Sequence, residues 1–210
     1  MLIAVDGTAA SGKGTLARHL ARRLNLRHLD TGSLYRGVGL SLLRAGYSNA
    51  EITTQIAENA AKKLDFTLTE DAEIRTDAVG NMASVVAAMD AVRDALKARQ
   101  HDFTTDIPDG FDGAVLDGRD IGTVILPHAE FKFFVDADPQ IRAERRLREL
   151  QAQGAETDID VVLDQLMARD HRDMMRTIAP LKQADDAIFV DTGEKTVEEM
   201  VTFALSAMGR

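Results

Sequence analysis

Short apolar runs alternate along the chain with longer segments of helical pattern. The runs lie at residues 1–6, 114–118, 131–137 and 187–191. Each ends in or beside an Asp or Gly. After the first run, Leu16, Leu20 and Leu24 recur every four residues, which predicts a helix that starts near Lys13. Strands that alternate with helices predict an α/β fold with a parallel sheet, whose ligands gather at the carboxyl ends of the strands.

The segment between residues 31 and 112 does not repeat this rhythm, and we expect it to be an insertion that carries a substrate. Within it, the stretches 64–68 and 72–75 are expected to form a small antiparallel strand pair. Residues 77 to about 103 carry a helical pattern. Farther along, residues 151–160 are rich in Gly and polar side chains, which predicts a mobile surface loop.

Composition and charge exclude several classes of function. The formal net charge of -9 argues against broad binding to nucleic acid or to an anionic membrane. The absence of cysteine excludes disulfides, thiolate metal sites and cysteine catalysis. Without a signal-peptide pattern or an apolar run of membrane-spanning length, we expect a cytoplasmic protein. Eight basic residues fall between residues 142 and 182, where they could meet a small anionic ligand.

A glycine-rich stretch, GTAASGKGT at residues 7–15, directly follows the first apolar run. It matches the phosphate-loop pattern G-x-x-x-x-G-K, and backbone N–H groups in a strand, loop and helix of this kind bind polyphosphate oxygens. Lys13 would reach the β- and γ-phosphates. Gly14 stands in place of the usual Ser or Thr, and a Thr follows one position late, at residue 15. The predicted nucleotide-binding residues are Gly7, Thr8, Ala9, Ala10, Ser11, Gly12, Lys13, Gly14 and Thr15.

Two further motifs follow predicted secondary structure at places where ligands bind. In LDTGSLYRG, residues 29–37, Thr31 or Ser33 is expected to cap the next helix. Tyr35 and Arg36 would face a ligand at that helix start.

The second motif, LDGRDIGT at residues 116–123, ends the second apolar run. Asp117 stands where phosphate-loop enzymes usually have an acid that helps to hold Mg²⁺, directly or through water. Arg119 and Asp120 lie just beyond it. A solvated turn is the other interpretation, but the position at the binding edge of the sheet favours a site.

Arginines recur at helical spacing in the last third of the chain. Arg169, Arg172 and Arg176 are spaced i, i+3, i+7 and would project from one helix face. A second cluster comprises Arg142, Arg145 and Arg146. Such faces are often solvated, with nearby acids such as Asp173 as partners. Two arginine faces in one phosphate-loop protein instead favour clamps on phosphate oxygens.

These motifs together resemble those of the bacterial cytidylate kinases over nearly the whole chain. The resemblance rests on GTAASGKGT, DTGSLYR, EIRT, NMASVVA with AVRDAL, LDGRDIGT and RDHRDMMRTIAPL, in the order of the family. It implies a single domain with a P-loop NTPase-type core, a parallel sheet flanked by helices, at about 1–30, 113–150 and 170–210. It also implies a monophosphate-binding insertion at about 31–112 and a short lid at about 150–169.

The resemblance further implies an activity and its residues. The activity is transfer of the γ-phosphoryl group of ATP to CMP or dCMP, with Mg²⁺ held by Asp117 through water and by Thr15. The implied catalytic residues are Lys13, Arg142, Arg169 and Arg176. The residues implied around the acceptor phosphate and its approach are Thr31, Tyr35, Arg36, Arg75, Arg119, Arg169 and Arg176. Those implied to read the cytosine are Ser84, Arg93 and Asp120, and Asp173 resembles the contact to the sugar.

The expected reaction needs no general base, because the attacking phosphate oxygen is already anionic at neutral pH. The expected partners are CMP and dCMP alone, with no nucleic acid and no membrane, and the protein is expected to be a monomer. Three other functions stay open: a kinase for AMP or UMP, a GTP-binding switch, and a nucleotide-binding module without catalysis. The chain lacks the D-G-F-P-R run of adenylate kinases and the N-K-x-D motif of GTP switches, and it retains Lys13.

Overall fold

The computed structural model describes residues 1–152 and 154–210. In these residues the strands are β1 (Leu2–Gly7), β2 (Arg27–Asp30), β3 (Ala114–Gly118), β4 (Phe131–Asp136) and β5 (Ile188–Asp191). The α-helices are α1 (Lys13–Arg23), α2 (Thr31–Arg44), α3 (Thr54–Lys62), α4 (Asp77–Val86), α5 (Asp90–Thr105), α6 (Pro139–Ala152), α7 (Ile159–Met175) and α8 (Val197–Ala207). There are also 3₁₀ helices at Phe66–Glu70 and Ala72–Arg75, and a π-helical turn at Ile121–Ile125.

The described residues form two compact units. The first, the core unit, comprises Met1–Leu29, Ile107–Met175 and Ala179–Arg210. The second, the insert unit, comprises Asp30–Asp106 and Arg176–Ile178.

The sheet of the core unit has the strand order β2-β3-β1-β4-β5. Strand β1 pairs in parallel with both β3 and β4, so that Ile3 lies opposite Val115 on one side and Phe131 on the other. Strand β5 adds in parallel to β4. The α/β prediction and four of the strands are thereby confirmed. The sequence did not reveal β2, because RHLD contains a single apolar residue, Leu29.

An apolar cluster joins the sheet to helices α1 and α8. Leu16 and Leu20 of the predicted stripe are fully buried against Val5 and Phe133, and Met200 of α8 packs into the same cluster. Burying a large aliphatic side chain contributes about 1.5 to 3 kcal/mol each. This packing holds the start of α1 beside the carboxyl end of β1.

The insert unit differs from its predicted structure in three places. The stretches 64–68 and 72–75 do not form strands and belong largely to the two 3₁₀ helices. The cause is a pair of aspartate caps: Asp65 Oδ1 accepts a hydrogen bond from Thr67 N at 3.0 Å, and Asp71 Oδ1 accepts one from Glu73 N at 2.9 Å. Short acidic side chains at such cap positions favour a helical turn over an extended chain. The helical pattern from residue 77 is divided between α4 and α5, with a break at residues 87–89.

Two helix boundaries also correct the predictions. Neither Thr31 nor Ser33 caps α2; Asp30 takes the cap position, and Ser33 Oγ donates to its carbonyl at 2.6 Å. Of the predicted loop at 151–160, Gln151 and Ala152 end α6 and Ile159 begins α7, while Gln153 lies outside the described residues. Every helix in the described ranges is too short or too polar to cross a membrane.

Replacing Gly113 by Ala is expected to destabilise the core unit strongly. The backbone has a φ of +147°, and an added Cβ would lie 1.9 Å from the Met1 carbonyl oxygen, which Ala114 N contacts at 3.0 Å. We expect a loss of more than about 3 kcal/mol in the free energy of unfolding. Gly110→Ala is the matched control, because its φ is +96° but no atom lies within 4 Å of the added Cβ. It should cost about 1 to 2 kcal/mol. Equal losses in urea denaturation would contradict the steric argument.

Candidate active site

The loop between β1 and α1 has the backbone geometry of an anion-binding nest. Gly12 has a φ of 88° and Ala10 a φ of 57°, both in the left-handed region. Alternation of left- and right-handed residues turns successive N–H groups toward one point, and the N-terminus of α1 adds its dipole there. Lys13 begins α1, and its Nζ donates to the Thr8 carbonyl at 3.1 Å.

Side chains of the loop itself and of other elements hold this loop. Thr8 Oγ1 donates to Asp136 Oδ1 at 2.5 Å, and Ser11 Oγ donates to the Thr8 carbonyl at 3.0 Å. Arg142 is 4% exposed and donates to the carbonyl of Ala9 at 3.0 Å. The structure therefore places Arg142, predicted to be catalytic, against the backbone of the loop.

Oxygen ligands suited to a hard cation lie at the start of α1. Asp117 is 3% exposed, its Oδ1 lies 2.6 Å from His28 Nε2, and its Oδ2 lies 3.4 Å from the position of a Cβ built on Gly14. The Thr15 hydroxyl accepts from Arg18 Nη2 at 3.3 Å. Across residues 1–152 and 154–210 there is no cluster of three or more acidic or histidine side chains that could hold a metal alone. One carboxylate and one hydroxyl fit Mg²⁺, which usually relies on substrate phosphates and water for its other ligands.

The core unit has a second cationic centre besides Lys13 of the loop, and it combines arginines with buried acids. Arg119 Nε donates to Asp173 Oδ2 at 2.8 Å, with side-chain exposures of 15% and 7%. Burial alone would lower the pKa of Arg119, but the Asp173 carboxylate raises it above its usual value. This pair fixes the guanidinium that follows β3.

Arg169 lies near this pair and is incompletely satisfied. Its Nε is buried and has no hydrogen-bond partner among the described residues. Burial, together with the charge of Arg119, lowers the pKa of Arg169 to about 10, so the guanidinium still carries its proton at neutral pH. A buried donor without an acceptor costs about 1 to 3 kcal/mol, more when it is charged. An anionic ligand would remove that cost, so the centre has the character of an anion site.

The predicted arginine face on α7 is wrong for Arg176. The helix ends at Met175, and Ala179 then adopts a φ of 47° before Pro180. Arg176 therefore lies outside the helix, and Pro180 disfavours a helical conformation at Ala179 farther along the chain. Arg169 and Arg172 share α7, but Arg172 is exposed and Arg169 is partly buried. Arg176 belongs to the insert unit.

In the insert unit, the predicted residues near the start of α2 form polar contacts. Thr31 is 3% exposed. Arg36 Nη1 donates to the Ile74 carbonyl at 2.8 Å. Arg75 Nη2 donates to Asp30 Oδ2 at 3.0 Å, with more than half of the arginine side chain exposed. These contacts connect α2 to the 3₁₀ helix at Ala72–Arg75.

The three remaining predicted residues of this unit are buried on α2, α4 and α5. Tyr35, Ser84 and Arg93 are 8%, 7% and 6% exposed. The Arg93 guanidinium lies 5.8 Å from the centre of the Tyr35 ring, and its Nη1 donates to the Ala87 carbonyl at 3.4 Å. A buried guanidinium beside a phenol ring has the donors to hydrogen-bond a flat polar ring.

Asp120, predicted to read a base, is 5% exposed and precedes the π-helical turn. A residue that the sequence did not reveal holds this turn in place: Asp6 accepts from the backbone N–H groups of Ile121 and Gly122, each at 2.7 Å. Burial raises the pKa of Asp6 to about 7, against the lowering effect of the two N–H donors.

Two comparisons identify relatives of the chain, and a third finds a protein of similar fold. Residues 3–210 match a family model described as cytidylate kinase. A cytidylate kinase of Rhodospirillum rubrum is 48% identical over 208 residues, which covers 99% of this chain and 97% of the relative. One from Rhodopseudomonas palustris strain BisA53 is 50% identical over 206 residues, covering 98% and 94%. A crystal structure of an uncharacterized protein from Eubacterium ventriosum has a TM-score of 0.56 at 13% identity, covering 100% and 98%, a likeness in fold alone.

Asp6→Asn is expected to change how stability depends on pH. The pKa of about 7 in the folded chain lies above the ordinary 3.8, so the folded state binds the proton more tightly. The contribution of Asp6 is therefore present at low pH and is lost as pH rises between about 4 and 7, by at most about 1.4 kcal/mol per pH unit. Urea denaturation at pH 5, 6, 7 and 8 measures the difference between wild type and variant. The exposed control Asp109→Asn should give a constant difference, and a constant difference for Asp6→Asn would contradict the prediction.

Proposed function

The chain belongs to the cytidylate kinase family, and from this premise we propose that it transfers the γ-phosphoryl group of ATP to CMP and dCMP. The products are ADP with CDP or dCDP. The observation that carries the proposal is the match to cytidylate kinases over residues 3–210. The anion-binding loop and the incompletely satisfied Arg169 support it from the chemistry of the core unit.

In this proposal the loop at residues 7–15 binds the phosphates of ATP. The N–H groups at the start of α1 bind their oxygens, and Lys13 leaves the Thr8 carbonyl to neutralise charge on the β- and γ-phosphates. Asp117, through water, and Thr15 would hold Mg²⁺, which supplies further charge neutralisation when it is bound. His28 holds the Asp117 carboxylate in position.

The acceptor nucleotide is assigned to residues of each unit. In the core unit, Arg119 and Arg169 bind its phosphate, Asp173 contacts its sugar, and Asp120 contributes to recognition of the base. In the insert unit, Ser84 and Arg93 read the cytosine. The insert-unit residues assigned to the phosphate and its approach are Thr31, Tyr35, Arg36, Arg75 and Arg176.

The reaction requires screening and alignment, with no base to remove a proton. The attacking oxygen of CMP is already anionic, so Lys13, Arg169 and Arg176 act by reducing repulsion between two anions. We assign to residues 150–169 the part of a lid that excludes water, which would otherwise accept the phosphoryl group. We further propose that the protein acts in the cytoplasm, a reducing compartment with which a chain without cysteine is compatible, and that it is a monomer.

A panel of acceptors tests the assignment. With ATP and Mg²⁺, kcat/KM for CMP and dCMP should exceed that for AMP and GMP by at least about 100-fold, because a site built to hydrogen-bond one base leaves its polar groups unpaired with another. The rate with UMP shows how far the site accepts the other pyrimidine. Lys13→Ala should lower the rate with every acceptor. If AMP or GMP turned over faster than CMP, the assignment of CMP and dCMP as acceptors would be wrong. If no acceptor turned over, the proposed kinase activity would be wrong.

Arg169→Met is expected to lower kcat/KM for CMP by about 100-fold or more, because the variant loses a preorganised charge at the site of transfer. Arg172→Met on the same helix is the matched control, since Arg172 is exposed, and it should stay within about threefold of wild type. Steady-state rates of ADP formation measure both variants. Equal effects of the two substitutions would remove Arg169 from the proposed site.

A further inference from the structure

Both backbone polar groups of one loop residue, Ala9, are bound by a buried ion pair. Asp170 Oδ1 accepts from Ala9 N at 3.0 Å, and Arg142 Nη1 donates to the Ala9 carbonyl at 3.0 Å. The same Arg142 Nη1 donates to Asp170 Oδ2, and Arg142 Nε donates to the Ala137 carbonyl at 3.0 Å. The two side chains are 4% and 6% exposed. Removing these two charges from water costs free energy, so we attribute the role of the pair to the main-chain groups of Ala9 that it binds.

A second set of contacts binds the carbonyl of Ser11. Thr192 Oγ1 donates to this carbonyl at 2.7 Å. Arg145 in turn holds Thr192: its Nη1 donates to Oγ1 at 3.0 Å, and its Nη2 donates to the Thr192 carbonyl at 2.5 Å and to the Gly193 carbonyl at 3.2 Å. Arg142 and Arg145 both lie in the first two turns of α6.

The two sets of contacts lie on either side of Ala10. Its φ of 57° is left-handed, which costs an alanine about 1 to 2 kcal/mol. Strained backbone of this kind persists only where the surroundings fix it from both sides. Ala9 and Ser11 flank Ala10 on these two sides. The bonds from Arg142 and Thr192 hold their carbonyls away from the point where the N–H groups of the nest converge.

We propose that Arg142, Asp170 and Arg145 are positioning residues for phosphoryl transfer. They hold the phosphate loop in its anion-binding conformation and do not themselves contact a phosphate. This role replaces the direct catalytic role that the sequence suggested for Arg142. The kinetic consequences rest on the proposed kinase function, whereas the effect on ATP binding does not.

Asp170→Ala gives the sharpest test. This change removes a negative charge close to an anion site, so electrostatics alone would tighten the binding of ATP. Loss of the loop anchor predicts the opposite, a Kd for ATP at least about tenfold higher. Asp170→Asn should recover part of this loss, because its side-chain oxygen can still accept from Ala9 N. Isothermal titration with ATP, without acceptor, measures the three proteins.

Two further variants, Arg142→Lys and Arg145→Met, test the two arginines by the same measurement. Arg142→Lys keeps a charge beside Asp170 and should fold, but it cannot make the branched contacts to Ala9 and Ala137. Both variants should raise Kd and KM for ATP by about tenfold while KM for CMP changes less than twofold, a split that simple loss of folded protein would not produce. The exposed Arg148→Met on α6 is the matched control and should bind ATP as wild type does.

The outcomes are distinct. If Asp170→Ala does not fold, Arg142→Lys and Asp170→Asn decide by the same measurement. Unchanged or tighter ATP binding in folded variants would overturn the positioning role. A wild-type chain that binds ATP but does not phosphorylate CMP would contradict the proposed function, while the comparison of ATP affinities would still test the loop anchors.

Discussion

The left-handed backbone at Ala10 and Gly12 is the constraint on which the core unit depends. A loop that turns its N–H groups toward one point must turn its carbonyls outward, and in a protein interior each of those carbonyls needs a donor. Arg142 supplies one and Thr192 another. The polar interior around the parallel sheet is therefore arranged to keep one short stretch of main chain in an unfavourable conformation, where it can meet an anion.

The elements that the sequence revealed are those with a strong local pattern. The apolar runs became strands because their residues pack on both sides of a parallel sheet, and Leu16 and Leu20 became the buried stripe of α1. The 3₁₀ helices were missed because their cause is a pair of aspartate caps, which outweigh an alternation of apolar residues over a few positions. The arginine spacing gave no sign that α7 ends at Met175, and Pro180 disfavours a helical conformation only at Ala179, beyond that end.

The residues of the candidate site also divide into those that the sequence revealed and those that it did not. The phosphate loop is a contiguous motif, so it can be recognised in the sequence. The residues that support it cannot, because Asp170 is 161 positions from Ala9 and Thr192 is 181 positions from Ser11. Neither is unusual in its own surroundings. The arginine spacing indicated the presence of cationic centres but did not distinguish Arg169, with its buried Nε, from Arg142, which binds the main chain.

The bond partners of Ala9 come from two helices, since Arg142 lies on α6 and Asp170 on α7. Helices α6 and α7 are thereby both bonded to the main chain of a single residue of the nucleotide loop. Linkage between two sites is reciprocal: a shift of α6 or α7 that alters nucleotide affinity must itself be favoured or opposed by the nucleotide to the same extent. In such an arrangement one alanine, through its main chain, links the occupancy of the loop to the positions of two helices.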